Sequence, residues 1–108
     1  MPQNQVYRFY IGLHAKGEFN NPHAVALRKT AAIRIMRDYI RDGFTVIDTT
    51  GYWDDTVEPG IVVEAITAKT LPDGVICQQI CMQLHQECVL VTIAPVEARF
   101  EERQYDVV

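Results

Sequence analysis

Four residues just after the first apolar run carry groups that move protons or bind charge: His14, Lys16, Glu18 and His23. A general base needs a histidine within hydrogen-bond reach of its substrate and a partner that orients the ring. Asp54 or Asp55 supplies that partner if the acidic stretch 51–60 folds over the first loop. His14 with Asp54 or Asp55 is therefore the catalytic candidate. The spacing does not compel it, and a surface or interface histidine is the ordinary reading. His14 and His23 stand across a loop from each other, a poor metal pair. Asp54, Asp55 and Glu58 offer oxygens to a hard cation, but they lack EF-hand spacing, and a solvated acidic loop explains them. No metal and no cofactor is expected.

Three cysteines, Cys77, Cys81 and Cys88, are spaced C-x3-C-x6-C. An odd number without a C-x2-C pair suits reduced thiols in a cytoplasmic protein better than a disulfide framework. Cys77 and Cys81 share a helical face with Ile80 and Leu84, so core packing is their expected role.

The aromatic and arginine residues say more. Trp53, the only tryptophan, sits beside Tyr52 in a Gly- and Asp-rich stretch. An indole there is not needed by the main core. Trp and Tyr give large contact area at low entropic cost and stack on flat rings. Arginine grips phosphate with two parallel hydrogen bonds. Arg8, Tyr10, His14, Tyr52, Trp53, Glu64 and Arg37 are thus the candidate ligand-binding residues, for a small anionic, nucleotide-like molecule. The competing role for Trp53 is to plug a subunit interface.

The elements that must position these groups follow from periodicity. Val6–His14 alternates, with Tyr7, Phe9, Ile11 and Leu13 on one face and Arg8, Tyr10, Gly12 and His14 on the other: a half-buried strand. Asn21 reads as a helix N-cap with Pro22 at the first helical position. That helix is predicted over Pro22–Asp42, with Val25, Ala32, Ile33, Met36, Tyr39 and Ile40 as its apolar stripe and Gly43 as its stop. Arg28, Lys29, Arg34, Arg37 and Arg41 make its outer side basic. A hairpin follows, with strands Phe44–Thr50 and Ile61–Thr67 around an elaborate tip. Glu64 lies in the apolar second strand, where a lone buried carboxylate is costly; it either points to the open face of the sheet or has a partner, for which Arg8 is a candidate. Thr70 reads as the cap of a second helix over Pro72 to about Glu87. Cys88–Pro95 is almost wholly apolar, as in a strand in the middle of a sheet. Val96, Ala98 and Phe100 alternate with Glu97, Arg99 and Glu101, so residues 96–108 form a candidate oligomerisation arm.

Composition sets the limits. A chain of 108 residues, 48% hydrophobic and 22% charged, is one ordinary folded domain spanning 1–108. A net charge of −4 argues against a broad surface for a nucleic-acid polymer. No apolar run reaches membrane-spanning length, and Met1–Val6 does not start a signal peptide, so a cytoplasmic location is expected.

The order β-α-β-β-α-β is the ferredoxin-like split βαβ arrangement, an α+β fold. It predicts a four-stranded antiparallel sheet with two helices on one face. The first strand and the second hairpin strand should be central, and the opposite face open. This layout resembles small oligomeric proteins of the PII and CutA type. That resemblance implies a homo-oligomer with ligand sites in clefts between subunits. The segments TTGYW and VVEAI are also similar to a pattern in an uncharacterised family of small bacterial proteins. Gly51, Trp53 and Glu64 are the corresponding positions. The RNP signature of RNA-recognition motifs, the acylphosphatase anion loop and ferredoxin cysteine runs are absent.

Two classes of function stand, with a third beside them. The first is a non-enzymatic oligomer binding a small anionic ligand between subunits, as a sensor or as the sequestering proteins of some phages do. The second is a small enzyme using His14 and a hairpin-tip acid. The third is an inhibitor or adaptor that binds another protein through the open sheet face.

Overall fold

Alternation along the first strand sets the layers. Tyr7, Phe9, Ile11 and Leu13 are buried, while Arg8, Gly12 and His14 are half-buried and Tyr10 is exposed. The computed structural model describes residues 3–103. Its elements are β1 (Gln5–Gly12), α1 (Pro22–Tyr39), β2 (Thr45–Trp53), β3 (Thr56–Thr67), α2 (Asp73–Leu84) and β4 (Leu90–Pro95). The strands form one antiparallel sheet in the order β2-β3-β1-β4. The fold is thus the expected βαββαβ, with β1 and β3 central.

Ile61, Val63 and Ala65 of β3 join the buried face of β1. Ala32, Ile35 and Met36 of α1, with Ile40 just beyond it, and Ile76, Ile80 and Leu84 of α2 cover that face. Tyr7 keeps its hydroxyl satisfied by accepting from the Leu71 amide at 3.3 Å. Both helices therefore lie on one side. The other side carries Arg8 opposite Glu64, Tyr10 opposite Val62, and Gly12 opposite Gly60.

Several boundaries differ from the sequence expectation. The Asn21 cap forms, its side-chain oxygen accepting from the Ala24 amide at 2.8 Å with Pro22 at N1. At its other end α1 stops at Tyr39, with Ile40 extended. Asp42 is drawn away instead to Lys69 and to the Thr67 hydroxyl. The hydrogen bond from Lys69 holds the Asp42 carboxyl below its ordinary value. Gly43 has φ +111°, a turn residue beyond the helix rather than its immediate stop. Ile35, not Ile33, is the buried member of the stripe. Thr70 does not cap α2: Pro72 holds that position without a side-chain bond, and the helix ends at Leu84, not near Glu87. There His85 adopts φ 55°, and the Gln86 amide turns back to the Cys81 carbonyl.

The hairpin is longer and its tip tighter than predicted. β2 runs through Trp53 and β3 starts at Thr56, leaving Asp54 and Asp55 as a two-residue turn with Asp54 at φ 50°. Pro59 fits inside β3 because its carbonyl faces β1, accepting from Leu13 past the end of β1. Its missing N–H is therefore not subtracted from the β2 ladder. β4 is at the edge, not in the middle: it pairs with β1 alone. Beyond it the Val96 amide donates to Asn4 and the Asn4 side chain to Ala98, so the arm leaves along the start of β1. Residues 104–108 of the expected arm lie outside the described residues.

Candidate functional site

Direct partners across an antiparallel pair project to the same face. Gly51 is opposite Glu58, Thr49 opposite Gly60, and Gly60 opposite Gly12. Three glycines thus fall on the open face within three neighbouring strands. They leave a floor of bare backbone at the end of the sheet. Two side chains use the space. The Trp53 indole nitrogen lies where a Cβ on Gly51 would come within 2.7 Å of it. A Glu58 carboxylate oxygen lies 2.7 Å from the point where a Gly12 Cβ would stand.

Two clefts meet at this floor, and Tyr10, Gly12, Trp53 and Glu58 line both. The smaller, about 280 Å³, runs over the hairpin and is walled by Thr49, Gly51, Gly60 and Val62. The larger, about 600 Å³, extends toward the end of α2 and is walled by His14, Lys16, Asn20, His85, Gln86 and Glu87. Its rim is built deliberately. Arg28 of α1 donates to the Leu13 carbonyl at 2.9 Å, to the Asn20 side chain at 2.8 Å and to the Phe19 carbonyl at 2.6 Å. Asn20 also accepts from the Ala15 amide at 2.8 Å, and the Gln86 side chain donates to the His14 carbonyl. One guanidinium and two amides thereby hold the loop that carries His14, Lys16 and Asn20.

Tyr10, His14 and Trp53 come together in the cleft. Arg8 does not line it: its Nε donates to Glu64 Oε2 at 2.8 Å, the pairing that the lone acid in β3 predicted. That hydrogen bond raises the Arg8 pKa above its usual value. Tyr52 alternates with Trp53 and points to the other side of the hairpin, 75% exposed. Arg37 is exposed on α1, whose layer covers the opposite face of the sheet. Asp54 and Asp55 stay at the hairpin tip outside the cleft lining, so the proposed His14–Asp pair does not form.

Sequence reasoning weighed Glu58 only as a cation ligand in a solvated loop and Arg28 only as part of a basic helix side, and it missed the row of glycines and the rim role of Gln86. Only strand register brings them together. Of the cysteines, Cys77 packs against the core and Cys88 reaches the cleft rim. Burial raises the pKa of Cys77 and Cys81, which keeps them as thiols. Among the described residues no cluster of three or more His, Cys, Asp or Glu side chains is placed to hold a metal ion. None of their helices is long and apolar enough to cross a membrane.

Comparison with solved structures gives the shape a context. One similar chain is CPII, a nitrogen regulatory PII-like protein from Thiomonas intermedia K12, bound to ADP, AMP and bicarbonate. Its TM-score is 0.53 at 10% identity, over 92% of this chain and 96% of that one. The chain shares the PII-type architecture. A phage SAM lyase in complex with S-methyl-5'-thioadenosine is similar too, at TM-score 0.51 and 15% identity over 94% and 95% of the two chains. No protein-family model matches the chain, nor does any curated protein.

Proposed function

We propose that the chain binds a small nucleoside-like ligand in the double cleft, as one subunit of a homo-oligomer, without transforming it. The observation that carries this reading is the row of Gly12, Gly51 and Gly60, which lets the Trp53 indole and the Glu58 carboxylate lie close over the strands in a cleft that Tyr10 also lines. The indole so placed offers a flat face on which a ring can stack, with Tyr10 in the same cleft. Lys16 is the fixed cation of the described lining, set against Glu58 and Glu87. Arg8 is engaged by Glu64 and Arg37 faces away. Ring and sugar, rather than a phosphate chain, therefore supply the binding energy. The adenosine compounds held by the two similar structures make adenosine, ADP and S-methyl-5'-thioadenosine the natural probes.

Trp53 emission and the melting temperature test this. A probe present at about 100 times its dissociation constant adds roughly 2.7 kcal/mol of stability. Adenosine should raise the melting temperature and change Trp53 emission, and Trp53→Ala should weaken the thermal effect. If all three probes leave both signals unmoved, the reading is wrong. One observation favours a second reading: His14 and Glu58 line the same cleft, an acid–base pair unlike the one expected. Turnover of a bound probe, lost in His14→Ala, selects that reading instead.

A further inference from the structure

The two clefts differ in character, and one carboxylate stands at their junction. The smaller is mostly apolar, with Tyr10, Trp53 and Val62 beside the glycine backbone. The larger is polar, with His14, Lys16, Asn20 and Gln86. Glu58 borders both. It is half-buried, and among the described residues no hydrogen bond or ion pair engages its carboxylate. Glu64, the next acid along this face of β3, is by contrast engaged by Arg8; Glu87, on the rim of the larger cleft, stands away from the junction. An ionised carboxylate is an acceptor only, with room for two donors at once. Space for it exists because residue 12 has no side chain; a Cβ there would stand 2.7 Å from its oxygen.

We infer that Glu58 is the sugar-recognising residue of the site, accepting hydrogen bonds from the vicinal hydroxyl pair of a ribonucleoside. This rests on the nucleoside reading above and sharpens it. The ring occupies the apolar cleft against the Trp53 indole, which itself covers Gly51. The sugar crosses the junction, where Glu58 and Gly12 meet it. The 5' substituent enters the polar cleft beside Lys16 and His14. A donor pair at the junction satisfies the carboxylate, whereas a phosphate there is repelled by it. The site therefore prefers ribose to deoxyribose and tolerates varied groups at the 5' position.

Binding of adenine, adenosine and 2'-deoxyadenosine, followed by Trp53 emission, tests this in the wild type, Glu58→Gln and Glu58→Ala. Hydrogen bonds to a charged acceptor are strong enough that adenosine should bind the wild type about ten- to a hundredfold tighter than 2'-deoxyadenosine. In Glu58→Ala that preference should vanish while adenine binds as before, which also shows that the ring cleft is intact. Glu58→Gln should retain part of it. If the wild type binds adenine but gains nothing from the hydroxyl pair, or if Glu58→Ala keeps the preference, the assignment of Glu58 fails and the ring site stands. If the wild type binds none of the three, the nucleoside reading fails and this assignment falls with it.

Discussion

Gly12 and Gly60 face each other, and a methyl group added to either meets an oxygen at nearly the same distance, yet the consequences differ. At Gly60 the obstacle is the Ile11 carbonyl oxygen at 2.8 Å, part of the backbone of a central strand. It cannot move without disturbing the β1–β3 pairing. Gly60→Ala should cost about 1–3 kcal/mol, the range for forcing extra volume into a packed site, read from the urea midpoint. At Gly12 the obstacle is the end of the Glu58 side chain, which swings aside. Gly12→Ala should leave the midpoint almost unchanged. The sequence shows both residues as glycines and nothing more. Their opposite tolerances follow from strand register, which no local pattern encodes. The same is true of Glu58, which reads as one acid in a turn until register sets it beside Gly12. By contrast, the Arg8–Glu64 pair was legible as one of two outcomes, because a lone acid in an apolar strand needs the open face or a partner, and Arg8 on the first strand was the candidate.

At the scale of elements, the alternation of β1, the Asn21–Pro22 start of α1 and the stripe of α2 were all readable, since each is a local property of the chain. The errors fell at ends and tips. Gly51–Gly60 looks like a long loop because glycine and proline usually end strands; here cross-strand pairing continues through them to a two-residue turn. β4 looks central because it is apolar, yet it is an edge strand with Leu90 53% exposed and Ile93 46% exposed. The rim loop between β1 and α1 depends on long-range side-chain bonds that only the fold reveals. Arg28 supplies three of them. Arg28→Lys keeps the charge but loses the fork. Amide exchange at residues 15–20 should then quicken at least about tenfold through local opening, while the global melting temperature changes little. Unchanged exchange there would mean that Asn20 and Gln86 hold the loop unaided.

For the whole molecule, the question is what covers the bare face and the edge. Ile47, Tyr10, Leu90 and Ile66 are exposed on the open face of a four-stranded sheet. The β4 edge carries no charged residue to discourage pairing. The arm beyond it leaves Phe100 fully exposed. A second copy of the chain, with the same unsatisfied surfaces, is the partner this combination suits. A native mass at a multiple of 12.3 kDa is the expected result. Ile47→Asp, which puts a charge on the open face at its β2 side, should shift the mass toward a single chain. A wild type that runs as a single chain at all concentrations would leave the face to another kind of partner.

The exposure of the only tryptophan has a practical corollary. Trp53 is 57% exposed in the folded chain, at the mouth of the cleft and away from the helical layer. More than half open to water already, it gains little exposure on unfolding, whereas anything stacked on the indole changes its surroundings directly. Indole emission in this protein is thus a gauge of occupancy and a poor thermometer of folding, so unfolding is better followed through backbone dichroism.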